Sequence, residues 1–141
     1  MFAVTDESQS KQVHLEFLDI QKSIVEELGL HARVIDMPPH ELGSSASRKF
    51  DIEAYFPSRQ SYREITSASN CTSYQARRLL IRYDDHDNTR KFAHTVNATA
   101  IAVPRVLMCI LETHLQPDGR VCIPKPLLPY MHGLTHLELV T

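Results

Sequence analysis

One stretch of the chain carries more polar side chains than the core of a small protein normally accepts. Residues 62–69 have the residue types of a β-strand, yet this stretch and the residue after it place polar or charged groups on both faces: Arg63, Glu64, Thr66, Ser67, Ser69 and Asn70. A buried polar group needs a hydrogen-bond partner, because burial without one costs free energy. Such a strand is more typical of the lining of a binding site than of a core.

A second group of chemically active residues is basic. Arg77, Arg78 and Arg82 follow the polar strand closely. Such a cluster fits either contact with RNA phosphates or an ordinary solvated face, and the solvated face is the more common of the two. The formal net charge of −2 indicates that this segment does not hold nucleic acid by phosphate neutralisation alone.

Metal and disulfide patterns are weak in this sequence. His132 and His136 are four residues apart, but the residues between them lack the glutamate of a zinc-protease motif, and no third ligand is suggested. Ordinary surface histidines are the better interpretation. Cys71, Cys109 and Cys122 are an odd number without C-x-x-C spacing, which favours a reducing compartment over a disulfide framework.

The 141 residues, of which 43% are hydrophobic, suffice for one domain with a core. A helix is predicted over roughly residues 8–28, since Asp6 and Gln9 form a possible capping box and Gly29 suits the residue after a helix. Its apolar stripe should lie on the sheet: Val13, Phe17, Ile20 and Ile24. No run of about 18 apolar residues predicts a membrane span.

Further strands are predicted at residues 31–36 and 50–56, and a hairpin at residues 79–83 and 91–96, with a short helical segment near Tyr74 to Arg78. Another helix follows, for which Thr99 is a candidate N-cap, with an apolar stripe formed by Val103, Val106, Leu107, Ile110 and Leu111. Pro104 either kinks this helix or stands at the first position of a later start. Antiparallel strands with helices on one side predict an α+β fold.

Two segments, residues 63–70 (REITSASN) and 94–105 (HTVNATAIAVPR), resemble signature stretches of the seryl-tRNA synthetases. Weaker matches occur in family order around them, so residues 1–131 are similar to the C-terminal portion of that catalytic domain, and residues 132–141 form a tail. Ala98 and Pro104 stand where the common pattern has glycine, and both resemble the animal mitochondrial branch.

The resemblance implies the class II aminoacyl-tRNA synthetase fold, in which ATP and L-serine lie on an antiparallel sheet. It further implies that Glu64 and Ser67 hold Mg²⁺ on the ATP phosphates, and that Arg105 is the catalytic arginine over the adenine and the γ-phosphate. The implied ATP-binding residues are Glu64, Ile65, Thr66, Ser67 and Arg105. Asn97 and Thr99 resemble the pair that recognises the serine side chain. Residues three apart on a regular strand face opposite sides, so sharing Mg²⁺ requires a bulge or a strand end near Thr66.

The match starts after the family's second class-defining motif, so we expect the 141 residues to lack the arginine on the α-phosphate and the glutamate for the serine ammonium. The tRNA-gripping helical hairpin and the motif of the family's homodimer interface are also expected to be absent. A serine–tRNA ligase acting on tRNA-Ser, inactive as this segment alone, is therefore one interpretation. A non-catalytic, synthetase-like binding protein is the alternative. The resemblance places the protein in the mitochondrial matrix, although no transit peptide is visible, with the cytoplasm as the alternative.

Overall fold

The computed structural model describes residues 1–138. Three helices occur, at α1 Ser10–Glu27, α2 Tyr74–Leu79 and α3 Val103–Thr113. The strands are β1 Phe2–Thr5, β2 Ala32–Asp36, β3 Arg48–Phe56, β4 Ser61–Thr72, β5 Arg82–Asp84, β6 Arg90–Phe92, β7 His94–Ala98, β8 Val121–Cys122 and β9 His136–Leu137. None of the helices described within residues 1–138 is long and apolar enough to cross a membrane.

The main sheet has five antiparallel strands in the order β1-β7-β4-β3-β2. Helices α1 and α3 pack on the same face of this sheet, because their buried side chains belong to one apolar cluster with strand residues: Leu18, Val25, Ile52, Ala54, Ile65, Val106 and Cys109. The predicted α+β class with helices gathered on one side is confirmed. The opposite face of the sheet is where polar strand residues lie.

Helix α1 turns a different side to the sheet from the one predicted. Ile20 is 45% exposed, and Val13, Phe17 and Ile24 are only half-buried. The buried positions are Ser10, His14, Leu18, Gln21 and Val25. The predicted stripe is wrong at Ile20, whereas Ile24 packs against the apolar cluster from its edge. Two polar side chains on the buried side, His14 and Gln21, form hydrogen bonds to groups of β4.

Helix α3 starts later than the Thr99 cap predicted. Its N-cap is Ala102, and Pro104 stands in its first turn, where the missing N–H has no helical partner to lose. Residues 99–102 are not helical and run beside β4. The Thr99 N–H donates to the Ser67 carbonyl at 3.0 Å, and the Ala102 N–H to the Ile65 carbonyl at 3.0 Å. The predicted stripe is also only partly buried, since Val103 is 63% exposed.

The second predicted hairpin strand, residues 91–96, is divided in two. β6 pairs with β5 in a two-stranded sheet, whereas β7 belongs to the main sheet. Strand β1 was not predicted, and it pairs along β7 with Phe2 opposite Asn97. In the predicted tail, β9 pairs with β8, while residues 139–141 lie outside the described residues. The boundary at residue 131 stays a prediction.

Candidate active site

A β-bulge at Ile65 brings Glu64 and Ser67 to one face of the sheet. In the register of β3 and β4, Glu64 lies opposite Glu53 and Ser67 lies opposite Asp51, with the irregularity between them. Asp51 and Glu53 are two residues apart on a regular strand, so they share a face, and their partners must share it too. The extra residue therefore resolves the geometric difficulty of two ligands three positions apart.

The side chains of Ile65 and Thr66 point to the helical side of the sheet. Ile65 is fully buried in the apolar cluster, and Thr66 is 1% exposed, with its hydroxyl 2.8 Å from the Gln21 amide nitrogen. A ligand bound on the polar face therefore does not contact either of these side chains. Any contact of these two residues with a nucleotide falls to their main-chain atoms.

Arg105 lies against Glu64. Its Nη1 donates a hydrogen bond to the Glu64 carbonyl at 2.7 Å and lies 3.7 Å from the Glu64 carboxylate oxygen Oε1. The contact exists because residues 99–102 run beside β4 and deliver the first turn of α3 to this point. Both side chains are more than one-third exposed. An anion can therefore reach Arg105, and a cation can reach Glu64.

Asn97 and Thr99 lie beside Ser67 at the end of β7. Asn97 is opposite Ser69, which is two residues from Ser67 and so lies on the same face. Its Nδ2 is 3.5 Å from the Cys71 sulfur. Thr99 is exposed, but its main chain forms two hydrogen bonds. The Thr99 N–H donates to the Ser67 carbonyl, and the Thr99 carbonyl accepts from the Gln21 amide at 2.6 Å. The structure thus brings all the predicted side chains except those of Ile65 and Thr66 to one region of the sheet.

Further charged residues occupy the same face, and sequence reasoning missed them. Asp51 is nearly buried and lies 2.8 Å from the Lys49 ammonium, and Glu53 lies 2.8 Å from the Arg33 guanidinium. Charged residues at every second position of β3, Lys49, Asp51 and Glu53, are a pattern in the sequence that predicts one charged face. Each acid has a cation partner, whereas among residues 1–138 the carboxylate of Glu64 has only the longer contact with Arg105.

The donor set fits a hard divalent cation held jointly with phosphate. Within residues 1–138, no group of three or more His, Cys, Asp or Glu side chains is arranged to hold a metal ion. Glu64 and Ser67 supply one carboxylate and one hydroxyl. Mg²⁺ is commonly bound by one or two protein oxygens together with substrate phosphates and water, so these two residues suit such a site only when a nucleotide completes it.

Two concave regions of the surface lie near these elements. One of about 460 Å³ adjoins Arg105 and is lined by Phe56, Arg59, Arg63 and Met108, among others. Another, about 630 Å³, lies at the start of α1 beside Arg48 and contains none of the predicted site residues. Apart from Arg105, none of the predicted site residues lines either region, so residue chemistry and not concavity identifies the candidate site.

The basic cluster is structurally separate from the polar face residues. Arg77 and Arg82 lie over the Phe92 ring, with the guanidinium carbon 5.1 and 4.8 Å from its centre, and Arg78 lies 3.5 Å over Tyr74. None of the three arginines forms an ion pair with a carboxylate in the described part of the chain. Their contact with RNA stays a prediction.

The sheet with two helices on one face is a fold that is found in known proteins. The family model described as tRNA synthetase class II core domain (G, H, P, S and T) matches residues 1–114. The chain belongs to this family.

Its relatives include the mitochondrial serine–tRNA ligase of Schizosaccharomyces pombe, 54% identical over 94% of this chain and 27% of the relative. That of Mus musculus is 56% identical over 93% of this chain and 26% of the relative. Serine–tRNA ligases of bacteria match as well. The crystal structure of seryl-tRNA synthetase from Pyrococcus horikoshii complexed with ATP has a TM-score of 0.93 and 39% identity over 99% of this chain and 31% of that one. The chain thus spans about a quarter to a third of the length of the relatives it matches.

Proposed function

We propose that this chain is part of a serine–tRNA ligase and contributes the ATP and serine residues of its active site. The observation that carries the proposal is the placement of Glu64 and Ser67 on one sheet face, with Arg105 donating to Glu64 at 2.7 Å. In the first step of the reaction, an oxygen of the serine carboxylate attacks the α-phosphate of ATP and pyrophosphate leaves. The product is seryl-adenylate.

Arg105 serves as the catalytic arginine. A guanidinium group stacks on flat rings and presents a planar set of donors to phosphate, so one side chain holds both the adenine and the γ-phosphate. Its hydrogen bond to the Glu64 carbonyl orients it toward the polar face. Ile65 and Thr66 contribute to ATP binding through their main chain, since their side chains are buried.

Glu64 and Ser67 are the residues that would hold Mg²⁺ when ATP is bound. When bound, the ion neutralises phosphate charge in the reaction. The residues' own task is to present two hard oxygen atoms on one face, which the bulge at Ile65 makes possible.

Asn97 and Thr99 recognise the side chain of serine. The half-buried Asn97 amide and the Thr99 hydroxyl bond the substrate hydroxyl and are left without that partner when alanine binds, which disfavours alanine. In the second step a hydroxyl of the terminal adenosine of tRNA-Ser attacks the seryl carbonyl, and AMP leaves. The resemblance further predicts a homodimer.

The cellular compartment is proposed from the names of relatives. We propose the mitochondrial matrix, because relatives from Schizosaccharomyces pombe and Mus musculus are named as mitochondrial. The cytoplasm is the alternative. Fractionation of cells that express the complete gene product, followed by detection with an antibody to this chain, separates the two.

The proposed function is tested by serine-dependent exchange of pyrophosphate into ATP. Because the chain spans 27% of the Schizosaccharomyces pombe relative, the assay uses a hybrid in which residues 1–141 replace the matching segment of that enzyme. We expect Glu64→Gln and Arg105→Ala to lower kcat/KM by a factor of about 10² to 10³, the usual cost of losing one well-placed charge partner.

The matched controls are Glu27→Gln and Arg120→Ala, which change exposed residues of the same types away from the polar face. They should leave the exchange rate unchanged. A hybrid that folds and binds ATP without serine-dependent exchange would favour the non-catalytic binding protein instead. Normal exchange in both Glu64→Gln and Arg105→Ala would refute the site assignment.

A further inference from the structure

The side chain of Gln21 is completely buried between α1 and the sheet. Its amide nitrogen Nε2 lies 2.8 Å from the Thr66 hydroxyl, 2.8 Å from the Ser67 carbonyl and 2.6 Å from the Thr99 carbonyl. The Thr66 hydroxyl in turn donates to the Thr99 carbonyl. One amide on a helix is thus bonded to two separate segments of the proposed site.

We infer that Gln21 is a positioning residue that holds Thr99 in place for serine and so sets the affinity of the site for that substrate. This inference rests on the proposed function. Gln21 itself lies on the helical side of the sheet, as its contact with Thr66 requires, and does not touch a ligand on the polar face. It acts through the main chain of Thr99.

The effect should fall on serine more than on ATP. Ser67 is fixed independently by its pairing with Asp51 in the ladder of β3 and β4. Thr99 lies just beyond Ala98, the last residue of β7, so no ladder continues through it. Its N–H bond to Ser67 and the two hydrogen bonds to its carbonyl are what hold it. Losing the amide therefore loosens Thr99 and leaves Ser67 in place.

The amide is not what packing alone would select at this position. Leu18 and Val25 fill the same buried side of α1 with apolar groups. The Gln21 oxygen Oε1, in contrast, is buried without a hydrogen-bond partner among the described residues. A buried polar atom without a partner opposes folding. Residues that violate a packing rule in this way are expected at functional sites.

The first test measures kinetics of the hybrid defined above. Gln21→Met keeps the length and volume of the side chain but removes the donors. We expect the KM for serine to rise by about 10-fold to 100-fold, the range found when a reacting group is slightly misplaced. The KM for ATP should stay within about twofold, because the ladder of β3 and β4 holds Ser67 without the amide. A mere loss of folded enzyme would change neither KM.

Val25→Ala is the matched control, since Val25 lies on the same side of α1 and is 4% exposed. It should lower the melting temperature without changing the ratio of the two KM values. Thr66→Val provides a second variant, which removes one hydroxyl of the cluster without altering α1, and should raise the serine KM in the same selective way. A selective effect in Thr66→Val supports the inference even when Gln21→Met fails to fold.

The second test needs no activity. In the 141-residue chain, hydrogen exchange of the Thr99 amide should accelerate by about 10-fold or more in Gln21→Met, because opening of this segment is local. Amides of the β3 and β4 ladder should stay protected. Equal acceleration of both, or equal rises in the KM for serine and for ATP, would overturn the inference. Absence of serine-dependent exchange in the unmutated hybrid would instead refute the proposed function.

Discussion

At the scale of single residues, buried polar side chains connect α1 to the sheet. The His14 Nε2 lies 2.9 Å from the Ala68 carbonyl, so it must carry the hydrogen, since a carbonyl only accepts. The Ser10 hydroxyl lies 2.9 Å from the His94 Nδ1. Together with Gln21, these contacts specify which side of α1 is buried.

His14 should make the stability of the fold depend on pH. Burial lowers the pKa of His14 below its ordinary value of 6.5. The hydrogen bond to Ala68 opposes this shift in part, and the smaller effects of Arg48, which lowers the pKa, and Asp36, which raises it, follow. The unfolded chain therefore binds a proton at a higher pH than the folded one. The free energy of unfolding should fall as the pH drops from about 7 through 6.5 to the folded pKa, by at most about 1.4 kcal/mol per pH unit.

Urea unfolding of the 141-residue chain at about pH 7.5 and about pH 5.5, which roughly span that window, measures this dependence. His14→Gln should reduce the difference between the two conditions, because the titrating group is gone while a donor to Ala68 remains. His86→Gln, at an exposed histidine, should not. An unchanged pH difference in His14→Gln would show that another group titrates.

At the scale of elements, backbone geometry at two positions determines what the strand and the helix present. The bulge at Ile65 turns Glu64 toward the face of Ser67, and the non-helical residues 99–102 bring Arg105 to Glu64. A regular strand would separate the two proposed metal ligands, and a helix starting at Ala100 would move Arg105 away from β4. These irregularities form the site.

The end of α2 carries a residue in an unfavourable conformation. Leu80 is its C-cap and has a φ of 57°, in the left-handed region that costs a residue with a Cβ about 1 to 2 kcal/mol. Leu80→Gly should therefore raise the free energy of unfolding by about 1 kcal/mol, because glycine is the preferred residue there. Urea unfolding measures the change.

Leu79 is the matched control, since it is as exposed as Leu80, at 69%, but has helical geometry. Leu79→Gly should lower the free energy of unfolding by about 1 kcal/mol. Equal destabilisation by both substitutions would mean that the apolar contacts of Leu80 outweigh its backbone strain.

At the scale of the whole molecule, the two faces of the sheet have different tasks. One face holds both long helices and the apolar cluster, which includes Ile52, Ala54 and Ile65 from the strands. The other presents Glu64, Ser67 and Asn97 with paired charges around them. The division lets a polar site form without interrupting the core.

We expect no serine-dependent pyrophosphate exchange from the 141-residue polypeptide by itself. By the family resemblance, the arginine on the α-phosphate and the glutamate on the serine ammonium have no counterparts among its residues, and each such loss costs a factor of about 10² to 10³. The hybrid should restore exchange. Exchange by the purified polypeptide that disappears in Glu64→Gln would contradict this expectation and would mean that these residues, or a partner chain, complete the site.

The sequence by itself determined the α+β class, the helix near residues 8–28 and the strands near residues 50–56 and 62–69. Those features follow from local periodicity and from prolines and glycines that interact with their neighbours along the chain. It also carried the resemblance, and with it the choice of Glu64, Ser67, Asn97, Thr99 and Arg105.

Only the tertiary structure decided how those elements meet. The prediction of which side of α1 is buried failed in part. Apolar periodicity does not reveal that Gln21 bonds to Thr66 and Thr99, 45 and 78 residues away. The late start of α3 and the unpredicted β1 likewise depend on pairing with distant strands. The contact between Arg105 and Glu64, 41 residues apart, is of the same kind. Hydrogen bonds between remote segments leave no periodic trace in the sequence, so the site becomes visible only when the sheet is assembled.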